Sequence, residues 1–404
     1  MRVLCSTTAG DGHFGPLKLL AQACSAAGHE VRVAAPLSFA GAVERAGLGH
    51  APFADAPAAA MGAVFETLPA MTLERANGTV MAEVFGRLDA QAALPALRAV
   101  VDDWRPDVVL RESAEFGSLA VAEAAGIPHA EVAIGVAALM DWGRAHVEEP
   151  LAELDELSGL EHGHLLRAAG GSPVFTMVPE CMDDAVPGSG RAEGAARVVV
   201  RFRAERRVGG GSLPPSWGDP DAPLVYVTFG TVAAGLGHLS EVFTAALGAL
   251  SDVPARVLMT TGYAGELALS DTPANAHVEQ YWPQDEVMAL AAVVVGHGGF
   301  GTTMSALSAG VPQVVLPLFT TDQQMNADAV SALGAGLSLP GGPEGVTALP
   351  GAVARALSDR DLRAGAAEVA AQIAALPGAA GVVDEIRRLA ELGPGSPRGR
   401  CRRP

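Results

Sequence analysis

Residues 293–326 read VVVGHGGFGTTMSALSAGVPQVVLPLFTTDQQMN, and this stretch predicts a strand, a glycine-rich loop and the start of a helix in succession. A short apolar run opens the stretch, and the glycines that follow would let a ligand approach the backbone closely. The first N–H groups of a helix have no intrahelical partner and carry partial positive charge, so the arrangement favours phosphate binding. We expect the helix to begin at Thr302, and His297 can add a ring N–H donor.

Polar side chains follow a second apolar strand, which we expect at residues 313–316. The sequence there continues to TDQQ at 321–324, and ligands of open parallel sheets bind outside the carboxyl ends of the strands. We therefore expect one ligand with a phosphate end and a polyol end. The Asp322 carboxylate and the Gln323 amide offer the acceptors and donors that sugar hydroxyls need. Asp322 could equally cap a helix that begins at Gln324.

The composition restricts the class of protein and its partners. The chain has 404 residues, of which 49% are hydrophobic, and a chain of this length usually forms two domains. The formal net charge of −18 argues against nucleic acid and anionic membranes as partners, because both attract basic surfaces. A phosphate ligand would have to be held by local dipoles instead.

The same features favour a soluble, cytoplasmic protein. The sequence GDGH at residues 10–13 interrupts the N-terminal apolar run too early for a signal peptide. The chain has no apolar run near the roughly 20 residues that cross a bilayer. Its four cysteines are scattered without metal-binding or redox spacing, which fits a reducing compartment.

Strands and helices alternate in both halves of the chain, a pattern typical of parallel sheets covered by helices. In the first half we expect a strand at 2–7, a helix from Pro16 to residue 27, and a strand at 107–110. Residues 77–104 favour a helix that Pro95 breaks. The second half repeats the alternation, so both halves are predicted to be α/β domains.

A change in composition separates the two halves. Residues 204–223 read AERRVGGGSLPPSWGDPDAP, which is a linker by its glycine and proline content. We therefore expect an N-terminal Rossmann-like domain at 1–203 and a C-terminal one at 224–392. The basic tail at 393–404 is expected to be disordered.

Four segments, at 281–284 (YWPQ), 297–303 (HGGFGTT), 310–312 (GVP) and 322–326 (DQQMN), together resemble the nucleotide-sugar signature of the UDP-glycosyltransferase superfamily. Within it, the chain resembles the bacterial natural-product glycosyltransferases that act in macrolide, enediyne and polyketide pathways. The resemblance implies the GT-B fold, an α/β architecture of two Rossmann-like doubly wound domains that face a central cleft. The N-terminal domain would bind the acceptor, the C-terminal domain would bind the nucleotide sugar, and the last helix would pack back on the N-terminal domain.

The resemblance also assigns phosphate contacts. His297, Thr302 and Thr303 would contact the diphosphate together with the backbone at Gly299 and Gly301. The two threonines could instead cap the helix.

Further donor contacts would come from two other segments. Gly230 and Thr231, at the turn after the first strand of the C-terminal domain, would reach the same diphosphate, although an ordinary turn would look identical. The family has an aromatic ring, usually Trp, that stacks on the nucleobase. Here Tyr281 has that position and Trp282 follows it, so either ring could stack, and Gln284 would contact the base or ribose.

Ser305 bears on the identity of the nucleotide. It stands where plant members have a glutamate that binds the ribose hydroxyls, and the loss of that group favours a deoxyribose and hence a dTDP-sugar over a UDP-sugar. Backbone N–H donors can stabilise a departing diphosphate, so no metal or cofactor is expected. The apolar content of residues 54–78, where the family has acceptor-contacting loops, suggests an apolar aglycone.

His13 is the candidate general base. It lies in a glycine-rich turn after the first strand, and a histidine is basic enough at neutral pH to accept a hydroxyl proton. Gly12, His13 and Pro16 match the family's Gly-His-x-x-Pro pattern. Glu112 stands where the family has an acidic residue, usually Asp, that orients the histidine, and Glu115 is the rival. A surface histidine and a solvated carboxylate are the simpler alternatives.

These assignments predict an inverting, metal-independent hexosyltransferase of the EC 2.4.1 type. It would move a sugar or deoxysugar from a dTDP-sugar, or a UDP-sugar, to a hydroxyl of an apolar natural-product aglycone in antibiotic or other secondary metabolism. The alternatives are a sugar-nucleotide epimerase on the same fold and a non-catalytic nucleotide-sugar-binding or auxiliary protein. A homodimer and a separate activator protein are both compatible with the sequence.

Overall fold

The computed structural model describes residues 1–186, 197–205, 211–215, 217–231, 233, 239–262 and 272–392. The expected basic tail and parts of the expected linker lie outside the described residues. The described chain forms two compact units. Unit 1 contains residues 1–177, 197–204 and 377–392, and unit 2 contains residues 178–186 and 205–376, apart from the positions omitted above.

Unit 1 is built on a parallel sheet of seven strands. The strands are β1 (Arg2–Ser6), β2 (Glu30–Pro36), β3 (Gly49–Phe53), β4 (Val108–Glu112), β5 (His129–Val132), β6 (Val174–Thr176) and β7 (Val199–Arg201). Their order is β3-β2-β1-β4-β5-β6-β7, and every neighbouring pair is parallel. The central strands are buried on both faces, as in β1, where Val3, Leu4 and Cys5 are fully buried. Helices must therefore cover both faces of the sheet.

Helices from the first 177 residues cover this sheet. They are α1 (Asp11–Ala26), α2 (Ala40–Arg45), α3 (Ala58–Thr67), α4 (Leu73–Thr79), α5 (Ala90–Trp104), α6 (Gly117–Ala125), α7 (Ala137–His146), α8 (Glu148–Ser158) and α9 (His164–Gly171). A π-helical segment, Val80–Asp89, connects α4 to α5.

Two expectations about prolines in unit 1 were wrong. Helix α1 begins at Asp11 rather than Pro16, because the Phe14 N–H already donates to the Gly10 carbonyl at 3.0 Å. Pro95 lies inside α5 and does not break it. The buried face of α5, which includes Leu94 and Leu97, packs in the core beneath the helix, and this burial outweighs the hydrogen bond that a proline cannot donate.

Unit 2 has a second parallel sheet, of six strands. The strands are β8 (Leu224–Thr228), β9 (Arg256–Thr260), β10 (Ala276–Glu279), β11 (Val293–Gly296), β12 (Gln313–Val315) and β13 (Gly336–Ser338). Their order is β10-β9-β8-β11-β12-β13, again with parallel neighbours throughout. The helices of unit 2 are α10 (Glu180–Ala185), α11 (Ser240–Ala249), α12 (Gln284–Met288), α13 (Phe300–Ala309), α14 (Thr321–Ala332), α15 (Gly342–Ser358) and α16 (Arg360–Ala375).

The chain passes between the units more often than a single linker would require. Residues 178–186, which the sequence placed with the N-terminal half, belong to unit 2, where α10 contacts α14. The last helix, α17 (Val383–Ala390), belongs to unit 1. Its residues Val383 and Ile386 are buried in the same core as Val3 and Cys5. None of the described helices is long and apolar enough to span a membrane.

Candidate active site

Each sheet has one point at which the strand order reverses, and the predicted site residues gather at these two points. In unit 1 the reversal lies between β1 and β4, where Ser6 is level with Arg111. In unit 2 it lies between β8 and β11, where Thr228 is level with Gly296. Ligands of doubly wound sheets bind at the carboxyl ends of such strand pairs. Each unit therefore presents one candidate ligand site.

His13 and Glu112 meet at the reversal in unit 1. The His13 Nδ1 atom lies 3.2 Å from Glu112 Oε1, and the carboxyl is fully buried while the imidazole is 23% exposed. Glu112 ends β4, and His13 lies in the first turn of α1, directly after the loop that follows β1. The structure thus brings together the two side chains that the sequence proposed as base and partner.

Thr8 completes this arrangement, although sequence reasoning did not single it out. Its hydroxyl donates to Glu112 Oε1 at 2.9 Å and lies 3.2 Å from His13 Nδ1. Because Nδ1 faces two oxygen atoms, we assign its proton there, which leaves a lone pair on Nε2. Nε2 is the nitrogen that a general base requires.

Glu112 is held in its charged form. Burial alone would raise the pKa of its carboxyl. The charge and hydrogen bond of His13, with hydrogen bonds from the Ala114 N–H and Thr8, outweigh burial and lower that pKa. The Ala114 N–H donates to Oε2 at 2.7 Å. The residue can therefore stabilise an imidazolium at His13.

Glu115, the rival partner, points into a different set of contacts. It accepts hydrogen bonds from the Ser118 N–H at 3.0 Å and from the Ser118 hydroxyl. Burial raises the pKa of its carboxyl, and nearby Glu112 adds to that rise. The structure therefore pairs His13 with Glu112 rather than with Glu115.

His297 lies in a backbone cradle at the reversal in unit 2. A Cβ added at Gly299 would come within 2.5 Å of His297 Nε2, and one at Gly230 within 2.8 Å of its Cε1 atom. Gly230 also has a φ of +82°, which disfavours other residues. Both glycines are thus required for the imidazole to fit. Burial lowers the pKa of His297 to about 4, against a weaker opposing effect of the Thr228 backbone, so the ring is neutral at pH 7.

Helix α13 begins at Phe300, two residues before the expected start at Thr302. Its N-cap is Gly299, which supplies no side-chain hydrogen bond to the first turn. Neither threonine caps the helix. Thr302 Oγ1 accepts a hydrogen bond from Gln284 Nε2 at 3.1 Å, and Thr303 is buried. The first N–H groups of α13, including that of Gly301, remain unbonded by any cap side chain, as an anion site requires.

Ser305 lies on the same helix, one turn after Gly301, and is half-buried. Thr231 is exposed and follows Gly230 at the end of β8. Both therefore lie on the segments that surround His297.

Asp322 and Gln323, at the start of α14, differ in their surroundings. Asp322 is the second residue of α14, whose N-cap is Thr320, so the alternative of Asp322 as N-cap is wrong. Gln323 is buried, and its Oε1 accepts from the Leu318 and Phe319 N–H groups at 2.8 and 3.1 Å. The Gln323 amide therefore holds the loop before α14. Asn326, one turn later, donates to the Gly298 carbonyl at 2.8 Å.

The two aromatic side chains after β10 differ in exposure. Trp282 packs against the apolar cluster of Leu224 and Tyr226, and its Nε1–H donates to the Ser212 carbonyl at 3.0 Å. Tyr281 is 54% exposed. Tyr281 is thus the more exposed of the two rings, and Trp282 is partly buried.

Phe85 is a further neighbour of the His13–Glu112 pair that sequence reasoning missed. Its ring centroid lies 5.2 Å from that of His13, and it comes from the π-helical segment, whose register a helical pattern cannot reveal. Thr8 could have been noticed, because it lies in the loop between β1 and His13.

Among the described residues, no cluster of three or more His, Cys, Asp or Glu side chains has metal-binding geometry.

Two doubly wound parallel units, each with polar chemistry at its strand-order reversal, define the architecture of a GT-B glycosyltransferase. Solved structures share it. The calicheamicin glycosyltransferase CalG4 is 23% identical with a TM-score of 0.78, over 98% of this chain and 99% of that one. The Streptomyces sp. SF2575 glycosyltransferase SsfS6, complexed with thymidine diphosphate, is 27% identical with a TM-score of 0.71, over 96% of this chain and 99% of that one.

Sequence comparisons then give the family. Models of the N-terminal and C-terminal domains of erythromycin biosynthesis protein CIII-like proteins match residues 22–217 and 244–389. L-demethylnoviosyl transferase of Streptomyces niveus is 31% identical over 352 residues, which cover 84% of this chain and 85% of that protein. Elloramycin glycosyltransferase ElmGT of Streptomyces olivaceus is 33% identical over 416 residues, which cover 96% of this chain and 97% of that protein. The chain belongs to the erythromycin biosynthesis protein CIII-like family of bacterial natural-product glycosyltransferases.

Proposed function

We propose that this glycosyltransferase moves a sugar, typically a deoxysugar, from a dTDP-sugar to a hydroxyl of an apolar natural product, with inversion at the anomeric carbon and without a metal. The observation that carries the proposal is the buried pairing of Glu112 with His13 at 3.2 Å. A charged carboxylate behind a partly exposed imidazole is the arrangement that activates a hydroxyl nucleophile.

His13 acts as the general base. Its Nε2 takes the proton of the acceptor hydroxyl while the oxygen attacks the anomeric carbon, and Glu112 stabilises the imidazolium that forms. The attack comes from the face opposite the departing nucleotide, so the configuration inverts. No covalent sugar intermediate on the protein is required.

The loop of unit 2 stabilises the leaving group. As the glycosidic bond breaks, negative charge grows on the diphosphate, and N–H groups at the start of α13 together with the Thr302 hydroxyl donate to it. Such preorganised donors are strongest where water is excluded. Neutral His297 has a single ring N–H, which bonds the Thr228 backbone, so its ring packs beside the diphosphate. Because the helix dipole adds positive potential at the same point, the leaving group needs no metal ion for its charge.

The remaining contacts with the nucleotide sugar follow from the exposure and the chemistry of the side chains. The accessible Tyr281 ring stacks on the nucleobase, and Asp322 binds sugar hydroxyls while Gln323 holds the loop in place. Gln284 and Thr231 bind beside the ribose and the diphosphate. Thymidine diphosphate in the SsfS6 structure, together with Ser305 in place of a glutamate, supports a dTDP-sugar as the donor.

Acceptor-dependent turnover tests the proposal. The purified protein is incubated with dTDP-glucose and dTDP-6-deoxysugars, with and without a panel of phenolic and macrolactone alcohols, in the presence of EDTA. We expect dTDP release and glycosylated product only when an acceptor is present, and an inverted anomeric configuration by NMR.

Three results would contradict the proposal. Conversion of the donor without an acceptor would indicate an epimerase. Tight donor binding with no turnover would indicate an auxiliary protein, and activity abolished by EDTA would require a metal.

A further inference from the structure

Gln284 and Thr302 make a polar contact between two helices of unit 2. Gln284 begins α12, and Thr302 lies in the first turn of α13. The Gln284 amide N–H donates from Nε2 to Thr302 Oγ1 at 3.1 Å. A hydroxyl has two lone pairs and one proton, so this contact occupies an acceptor position and leaves the Thr302 proton for another partner.

The carbonyl groups nearest to Thr302 in the chain are already engaged. A helical threonine can donate to the carbonyl four residues earlier, which here belongs to Gly298. That carbonyl accepts from Asn326 Nδ2 at 2.8 Å, and the Gly299 carbonyl accepts from the Thr303 N–H at 3.0 Å. In the part of the chain that the structure describes, no acceptor takes the Thr302 proton. The proton is therefore available to a ligand.

The direction of the Thr302 side chain is fixed by two contacts. Its methyl group faces β11, because a Cβ added at Gly296 would lie 3.6 Å from Thr302 Cγ2. Its Oγ1 atom faces Gln284. Threonine in a helix divides mainly between two χ1 rotamers, and these contacts together select one of them.

Gln284 itself belongs to a polar network at the strand ends of unit 2. The Tyr226 hydroxyl lies 2.9 Å from Thr260 Oγ1, and both residues are buried. Burial raises the pKa of the Tyr226 hydroxyl, and hydrogen bonds with Thr260, Thr228 and Gln284 oppose that rise. Thr228 and Thr260 are the last residues of β8 and β9. The network therefore ties the Gln284 amide to two strands beside the strand-order reversal.

We propose that Gln284 is a positioning residue for the donor diphosphate and that it acts through Thr302. By donating to Oγ1, the amide directs the Thr302 proton away from the protein and towards the departing diphosphate, where preorganised donors stabilise the growing charge. Tyr226 holds the amide from the side of the sheet. The inference rests on the proposed function, since it assigns how the same donor site binds phosphate.

Thymidine and dTDP distinguish this role from a direct contact with the nucleoside, because they share the base and the deoxyribose and differ only in the phosphates. Their dissociation constants are measured by equilibrium dialysis with the full-length protein. Gln284→Met has a side chain of similar length without the amide. We expect it to weaken dTDP binding by about tenfold, while its affinity for thymidine stays within about twofold of the wild type.

Further variants test whether Gln284 acts through Thr302. Thr302→Val keeps the shape of the side chain, removes the hydroxyl and should cause the same selective loss. The double variant should bind dTDP within about twofold of Thr302→Val alone, because residues that act through one another have non-additive effects. Gln372→Met, an exposed change of the same chemistry on α16, should leave both affinities unchanged.

The outcomes separate this inference from the proposed function. Equal losses of thymidine and dTDP affinity in Gln284→Met would overturn the inference, because they indicate a direct contact with the base or the ribose. Unchanged dTDP affinity in Gln284→Met, or fully additive losses in the double variant, would overturn it as well. In each of these cases the wild type still binds dTDP, whereas a wild type that does not bind dTDP would contradict the proposed donor site itself.

Discussion

Two side chains from separate parts of unit 1 fix the candidate base, His13. The Thr8 hydroxyl and the Glu112 carboxylate both face His13 Nδ1, so the imidazole can neither rotate nor exchange its tautomer without breaking a buried contact. The position of the proton, rather than the presence of a histidine alone, is what makes Nε2 a base.

Replacing Glu112 by Gln should therefore reduce the rate while leaving the fold intact. The amide fills the same space but removes the charge that the lowered pKa of Glu112 keeps in place. We expect kcat for glycosyl transfer to fall by about 10² to 10⁴-fold, with a smaller change in KM for the donor. Glu44→Gln, an exposed change of the same chemistry on α2, is the control. A Glu112→Gln enzyme with more than half the wild-type kcat would refute the role of Glu112.

The sequence could place His13 and Glu112 because each follows a recognisable strand. It could not identify Phe85, because this residue lies on a π-helical segment, and a period of 3.6 residues does not describe which side chains that segment turns inward. Gln323 was named from the sequence, but its contacts could not be predicted from its residue type. Its type suits a sugar contact, but its Oε1 holds backbone N–H groups.

At the scale of elements, α6, β5 and α9 are joined by a single carboxylate. Glu123 on α6 contacts His129 Nε2 at 2.6 Å and His164 Nε2 at 2.7 Å. These contacts lower the pKa of Glu123 from 4.5 to about 2, with the hydrogen bond from His129 as the largest cause. Three elements of unit 1 thus depend on its charged form.

The stability that Glu123 contributes should depend on pH. Because its pKa is lower in the folded protein, the contribution is complete above about pH 4.5 and is lost as the pH falls towards about 2. We expect the difference in thermal midpoint between the wild type and Glu123→Gln to shrink on acidification from pH 5 to pH 3. Glu156→Gln, exposed on α8, should show no such difference. A gap that stays constant down to pH 3 would contradict this account.

The expected elements were mostly present, but their starts were displaced where local rules competed. The alternation of strands and helices predicted both parallel sheets. Helix α1 starts before Pro16 and α13 starts before Thr302, each with a glycine as its N-cap. Neither start therefore has the capping side chain from which a helix N-terminus is usually predicted.

At the scale of the whole molecule, the chain returns to unit 1 after completing unit 2. Residues 377–392 place Val383 and Ile386 in the core that contains β1. The stability of unit 1 therefore depends on the C-terminal segment, while the proposed donor loop around His297 belongs to unit 2.

Ile386→Ala tests this dependence. Ile386 is fully buried, so the truncation should cost unit 1 about 2–5 kcal/mol of unfolding free energy, measured by urea unfolding with a probe in unit 1. Stabilisation by dTDP should be retained. Leu392→Ala, at a position 71% exposed, is the control, and equal stability of the two variants would contradict the packing of α17.

A variant of Gly299 changes only the proposed donor loop around His297 and serves in the final measurement. Gly299→Ala would bring a Cβ within 2.5 Å of His297 Nε2 and displace the ring, so nucleotide affinity should fall by about tenfold or more. Gly248→Ala is the matched control, because a Cβ there meets no atom within 4 Å.

The most direct test is the thermal stability of the wild type and Gly299→Ala with dTDP, UDP, GDP or buffer alone, all at one high concentration. A ligand at about a hundredfold its dissociation constant adds about 2.7 kcal/mol to the folded state. We expect dTDP to stabilise the wild type most, UDP less and GDP least, and Gly299→Ala to lose the response. A wild type that responds to none of the nucleotides, or to GDP above dTDP, would contradict the proposed donor site.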